Sequence, residues 1–263
     1  MKYFIDTEFL EGTQKTWWGS KTKPTIDLIS IGIVAEDGRE YYAISKEFNL
    51  EEAWNRYDWK EHKPTHKIDE GKKLNQKIYW IRENVLFPIF KELQDKAFKD
   101  WGYFPTPQHF TLKGLKKLIS KYGKTNTQIA EEVTMFCVDQ FIGIEFDLAK
   151  EKFTVGKELS KSAPEFYGYY ADYDWVVFCW LFGKMTNLPT GFPMYCIDLK
   201  QTIDFFEKNI AKRKEIGAIE PSSIWYKVSK YKEHPDYPKQ TNEHNALADA
   251  KWNKELYKFL NEL

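Results

Sequence analysis

The chain has 263 residues, of which 42% are hydrophobic and 30% charged, and its 39 basic side chains balance its 39 acidic ones. This composition fits a soluble globular protein, with length for one large domain or for a core with insertions. Zero net charge excludes a protein that coats nucleic acid by bulk positive charge, so any nucleic-acid role must rest on local patches and bound metal.

The first element is a strand over residues 2–9, where Tyr3, Phe4 and Ile5 are β-formers. A long polar stretch, 11–25, separates it from a second strand at 27–35 ("DLISIGIVA"). "EDG" at 36–38 makes a hairpin turn into a third strand at 39–45, giving an antiparallel start. Apolar residues at helical spacing predict helices at 80–93 and 126–142, the second capped by Asn126 or Thr127. Residues 166–171 read as a buried strand, 175–182 as a buried helix stopped by Gly183, and 194–201 as a further strand. A last helix opens at Asn245 with an apolar stripe of Trp252, Leu256, Phe259 and Leu263. Strands first, then alternating helices and strands, indicate an α/β fold whose sheet has an antiparallel first half. Segments 46–77, 94–125 and 205–242 fall outside that frame; the third reads as loop-rich, with Pro221, Pro235 and Pro238.

Aromatic residues make up 17% of the chain, and a rich core is the first explanation. Cys137, Cys179 and Cys196 lie far apart in mostly apolar settings without a CxxC pair, and read as buried thiols in a reducing compartment. No signal-peptide pattern opens the chain, and the longest apolar run, 175–182, is too short to span a bilayer. The expectation is a cytoplasmic protein that does not engage membranes.

The chemistry-bearing residues begin on the first strand. Asp6 and Glu8 are two residues apart, so a strand projects them side by side on one face. Adjacent buried carboxylates repel, and a hard divalent cation between them, Mg²⁺ or Mn²⁺, makes the pair favourable; two solvated acids at a strand end are the alternative. Asp174 stands at a strand-to-helix junction, where open α/β sheets bind ligands, with Asp172 as a second candidate or a helix cap. His244 and Asp249, five apart, do not share a helix face, which puts His244 in the loop or first turn and Asp249 on the last helix.

This ordered set, Asp6-x-Glu8, Asp174, then His244-x4-Asp249, resembles the DEDDh family of 3′–5′ exonucleases, whose fold is ribonuclease-H-like. Asn245 stands where the tyrosine-type relatives carry Tyr. "FIDTEFLEG", "ISIGIVAEDGREYYAIS", "WIRENVL", "ADYDWVVFCWLFG" and "HNALADA" are most similar to bacterial exoribonucleases of the poly(A)-trimming, AS type. The resemblance implies a single DEDDh exonuclease domain, a mixed sheet flanked by helices, and insertions at about 46–77, 94–125 and 205–242 that reshape substrate preference. It also implies two divalent ions, Mg²⁺ or Mn²⁺. Asp6 would bridge both, Glu8 and Asp249 would complete the first ion's protein ligands, and Asp174 would hold the second. His244 would take the proton from the attacking water, a role that suits an imidazole near neutral pH. Thr7, Phe9 and Leu10 would contact the terminal nucleotide of the substrate, although core packing explains Phe9 and Leu10 equally well.

The implied partner is single-stranded nucleic acid, RNA rather than DNA on the closer resemblance, with a homo-oligomer compatible. A DNA exonuclease of the same fold and an inactive nucleic-acid-binding protein are the alternatives. All five catalytic positions are filled, which argues against the latter. The stretch 96–124 mixes lysines with Phe98, Trp101, Tyr103, Phe104 and Phe110, suited either to tracking a single strand or to an amphipathic helical hairpin with a solvated lysine face.

Overall fold

The structure, a computed structural model, describes residues 1–15, 22–62, 74–102, 109–137, 144–147, 152–155 and 163–262. The chain divides into two compact units. Met1–Phe9, Ser30–Ala43 and Thr125–Leu263 form one; Leu10–Ile29 and Ile44–Lys124 form the other.

The main sheet has five strands: β1 (Lys2–Lys15), β2 (Thr22–Ala35), β3 (Glu40–Ile44), β8 (Glu165–Gly168) and β9 (Ile197–Asp198), in the order β3-β2-β1-β8-β9. The β2–β3 connection is the expected tight turn. Gly38 takes φ +96°, and the Ala35 N–H bonds the Arg39 carbonyl at 2.8 Å. The start of β1 lies beside the end of β2, with the Glu36 N–H on the Lys2 carbonyl, so these two strands are antiparallel. β1 pairs with β8, and β8 with β9, in parallel. The result is a mixed sheet whose antiparallel half comes first, consistent with the expected fold class. β1 and β2 run beyond the predicted ends at 9 and 27.

Helices α4 (Asn126–Cys137), α5 (Asp172–Leu181), α6 (Leu199–Glu215), α7 (Ile224–Lys227) and α8 (Ala246–Asn261) belong to the same unit. The core against α8 gathers Phe4, Val34, Tyr167, Leu199 and Ile203 with Trp252, Leu256 and Phe259. Leu263 lies outside the described residues. A second aromatic group, Tyr3, Phe166, Trp175 and Phe178, packs with ring centroids 4.8–5.6 Å apart, so this part of the aromatic content is core.

Several expected boundaries shift for local reasons. α4 is capped by Thr125 rather than Asn126 or Thr127. Its hydroxyl accepts from the Gln128 N–H, and the Gln128 side chain accepts from the Thr125 N–H, a reciprocal capping box. The strand expected at 194–201 shrinks to Ile197–Asp198, because Asp198 accepts from the Gln201 N–H at 2.9 Å and caps α6. α6 also gives helical structure to the first third of 205–242, which the sequence reads as loop. Cys137 and Cys179 are buried and Cys196 is half-buried; all three are free thiols.

The other unit holds α1 (Leu50–Asn55), the hairpin β4 (Asp58–His62) and β5 (Leu74–Ile78), α2 (Phe87–Trp101) and α3 (Leu112–Tyr122). The helix expected at 80–93 begins with a π-helical turn, Arg82–Leu86, in which the Phe87 N–H bonds the Arg82 carbonyl five residues back. Pro88 follows directly, and widening the helix relieves the clash its ring would make with the preceding turn. α2 and α3 make the helical alternative for 96–124. Lys121 lies 3.7 Å from the Trp101 ring centroid and Lys96 5.3 Å from that of Tyr122, so part of the basic–aromatic mixture is engaged internally. Tyr103 and Phe104 lie outside the described residues. The first unit also carries the short pair β6 (Ile144–Asp147) and β7 (Lys152–Val155). No helix among the described residues is long and apolar enough to cross a membrane.

Candidate active site

Strand alternation on β1 sorts its side chains. Phe4, Asp6 and Glu8 share one face, and Phe4 is part of the core formed with α8. Asp6 and Glu8, farther along that face, therefore meet the first turns of α8. Two contacts set how closely the helix docks. Gly32 of β2 lies against the start of α8: a side chain there would collide with the Ala246 carbonyl and the Leu247 nitrogen. The Asn253 amide, buried on the same helix, donates to the Ile5 carbonyl at 2.9 Å, fastening α8 to the residue just before Asp6.

α8 itself starts at Asn245, whose side chain accepts from the Ala248 N–H at 3.0 Å. Asp249 follows one turn later and is 6% exposed. Asp6, Glu8 and Asp249 each offer a carboxylate oxygen, and these oxygens lie within 4.8 Å of one another. Asp249 also has two protein donors: the Gln240 side-chain amide reaches Oδ1 at 2.6 Å and the His244 N–H reaches Oδ2 at 2.8 Å. His244 takes φ +66°, a left-handed conformation uncommon away from glycine, and the bond to Asp249 helps to hold it there.

Asp174 enters from the other side of β1. It lies in the first turn of α5, is 6% exposed, and accepts at Oδ1 from both the N–H and the hydroxyl of Thr7, at 2.8 and 2.6 Å. Asp172 is exposed at the first helical position; α5 is entered from Ala171 without a side-chain cap, so Asp172 is not the cap expected of it.

The electrostatics follow from this crowding. Desolvation, then the charges of Asp174, Glu8 and Asp249, hold the Asp6 carboxyl well above the usual carboxylate range. Desolvation and the charges of Asp249 and Asp174 push Glu8 up to about 8. Asp174 is raised by burial to about 6, against the pull of its two Thr7 hydrogen bonds. Asp249 is raised by burial and partly relieved by Gln240 and His244. A crowded set of acids, Asp174 and Asp249 buried and Asp6 and Glu8 half-buried, pressed toward protonation by one another, is one that a divalent cation would neutralise, and an all-oxygen donor set suits Mg²⁺ or Mn²⁺.

The structure thus brings Asp6, Glu8 and Asp249 together, sets His244 on Asp249, and places Asp174 where its charge bears on Asp6 and Glu8. The three residues expected to meet the nucleotide fare differently. Thr7 is 5% exposed and spends its donors on Asp174, and Leu10 is fully buried as core. Phe9 stays half-exposed, its ring stacked on Tyr173 at 5.8 Å between centroids. Thr7 as an anchor for Asp174, Gly32, Gln240 and Asn253 carry no local motif. Asn253 alone leaves a trace, a polar residue within the apolar stripe of the last helix.

No protein-family model matches the chain. It is similar to two curated proteins of Mycobacterium tuberculosis, from strains CDC 1551 / Oshkosh and ATCC 25618 / H37Rv, each named 3′–5′ exoribonuclease. Identity to each is 27% over 201 residues, covering 76% of this chain and 73% of the relative.

Proposed function

We propose that this chain is a metal-dependent 3′–5′ exoribonuclease of the DEDDh kind, trimming single-stranded RNA from its 3′ end. One observation carries the reading: the carboxylates of Asp6, Glu8 and Asp249 converge within 4.8 Å, from a strand and a helix far apart in sequence. The names of the two relatives support the same chemistry and favour RNA over DNA. In this reading the protein is a single catalytic domain of ribonuclease-H-like fold, and residues 46–77, 94–125 and 205–242 are additions to it.

Asp6, Glu8 and Asp249 would hold a divalent cation, and Asp174 would complete a second position beside Asp6. Bound there, the cations would supply positive charge against the phosphodiester and make an attacking water more acidic. The residues themselves do the rest. Thr7 fixes the rotamer of Asp174 through two donors to one oxygen. Asp249, through the His244 N–H, holds the backbone that carries the imidazole. The imidazole of His244 accepts the proton of the attacking water. Phe9 and Tyr173 present a half-exposed aromatic pair on the Thr7 face of β1, suited to packing against a base.

The test is a denaturing-gel time course on 5′-labelled single strands, RNA beside DNA, with Mg²⁺, Mn²⁺ or chelator. A ladder shortening from the 3′ end of RNA, abolished by chelator, is the expected result. RNA left intact in both metals would overturn the proposal, and faster shortening of DNA would move it to the deoxyribonuclease alternative.

A further inference from the structure

The segment just before α8 does more than deliver His244. Its carbonyl at Pro238 accepts from the Trp252 indole N–H at 3.0 Å, and its far end is fixed by the Asn245 cap. Between these two anchors, Gln240 and His244 both donate to the carboxylate of Asp249, one to each oxygen. Gln240 is itself exposed. An exposed glutamine needs no protein partner, since water satisfies its amide, and ordering its side chain costs rotamer entropy. The 2.6 Å bond to a buried carboxylate offsets that cost because the acceptor is charged and shielded.

We infer that Gln240 is a positioning residue for cation binding: its amide fixes the carboxylate plane of Asp249 toward Asp6 and Glu8 and steadies that acid without adding charge. The inference rests on the cation reading of the three acids. Each carboxylate oxygen has two acceptor sites, so Oδ1 can keep the amide and still face a cation. Hydrogen-bond partners of this kind orient metal ligands, and their loss weakens metal binding by about 10–100-fold. A glutamate at 240 would remove the donor and set a further carboxylate against Asp249.

The test is Mn²⁺ binding by titration calorimetry to the full-length wild type, Gln240→Ala and Gln240→Glu, with melting of the metal-free proteins as the fold check. Expected are a Mn²⁺ dissociation constant at least about tenfold weaker in Gln240→Ala, a weaker one still in Gln240→Glu, and a metal-free Gln240→Ala that still melts cooperatively, somewhat below the wild type because a bond to a buried carboxylate is lost. Gln240→Ala binding Mn²⁺ as tightly as wild type, or more tightly, would overturn the role of Gln240 while leaving the cation site standing. A wild type that binds no Mn²⁺ would overturn both.

Discussion

Asp174 accepts two hydrogen bonds at one oxygen from a single residue, and that residue, Thr7, stands between the two acids of the first strand. The threonine hydroxyl therefore tunes a carboxylate 167 positions away. Thr7→Val keeps the shape and removes the side-chain donor. Losing a hydrogen bond to a buried carboxylate costs about 1.5–3 kcal/mol, so the variant is expected to melt lower. Because both Thr7 bonds pull the Asp174 pKa down, losing the hydroxyl bond while the N–H bond stays lets it rise from about 6. The acidic limb of the pH–rate profile should then move to higher pH, and an unmoved limb would separate Asp174 from catalysis. If His244 takes the proton as proposed, His244→Ala is expected to lower kcat by about 10²–10⁴, measured under saturating metal, with the Mn²⁺ dissociation constant changing far less.

Gly32 works at the scale of elements, since it lets the start of α8 lie directly on β2. Gly32→Ala places a methyl group on the Ala246 carbonyl, and overpacking of this kind costs about 1–3 kcal/mol. The helix start must shift, and Asp249 and the His244 backbone move with it, so activity should fall more steeply than stability. Full activity in Gly32→Ala would show that the helix position is not critical. Neither this contact nor the Asn253 bond to the Ile5 carbonyl was legible in the sequence, because both join residues more than 200 positions apart and neither follows a local pattern. What was legible rests on short-range periodicity. Two acids two apart on a strand must share a face, and an acid five residues after a histidine cannot share a helix face with it. Both hold for Asp6 with Glu8 and for His244 with Asp249. The Thr125 cap, the π-turn before Pro88 and the long α6 were misread because hydrogen-bonding side chains and proline sterics, rather than apolar spacing, decide those boundaries.

For the whole molecule the acidic cluster predicts how stability depends on pH. Asp6, Glu8, Asp174 and Asp249 all bind protons more tightly folded than unfolded. Their contribution is complete below about pH 4, where both states are protonated, and is lost as pH rises through the folded values, which reach about 8 for Glu8. Metal-free protein should thus lose stability across that window. Cation binding requires the ionised carboxylates, so the stabilisation by Mn²⁺ should grow across the same window. Melting curves in chelator and in Mn²⁺ from pH 5 to pH 8 check both trends. Equal stability of the chelated protein at the two ends would contradict the crowding of these four acids.

If the carboxylates around Asp6 form the catalytic centre, replacing one Asp6 oxygen by an amide must silence the enzyme, which a comparison of wild type with Asp6→Asn decides. Both would be given 5′-labelled single-stranded RNA in Mn²⁺ under single-turnover conditions, after melting confirms that the variant is folded. A catalytic centre at Asp6 predicts processing from the 3′ end by the wild type and none above background by Asp6→Asn. A folded Asp6→Asn that shortens RNA at the wild-type rate would contradict it, and the search for the active site would have to begin elsewhere in the molecule.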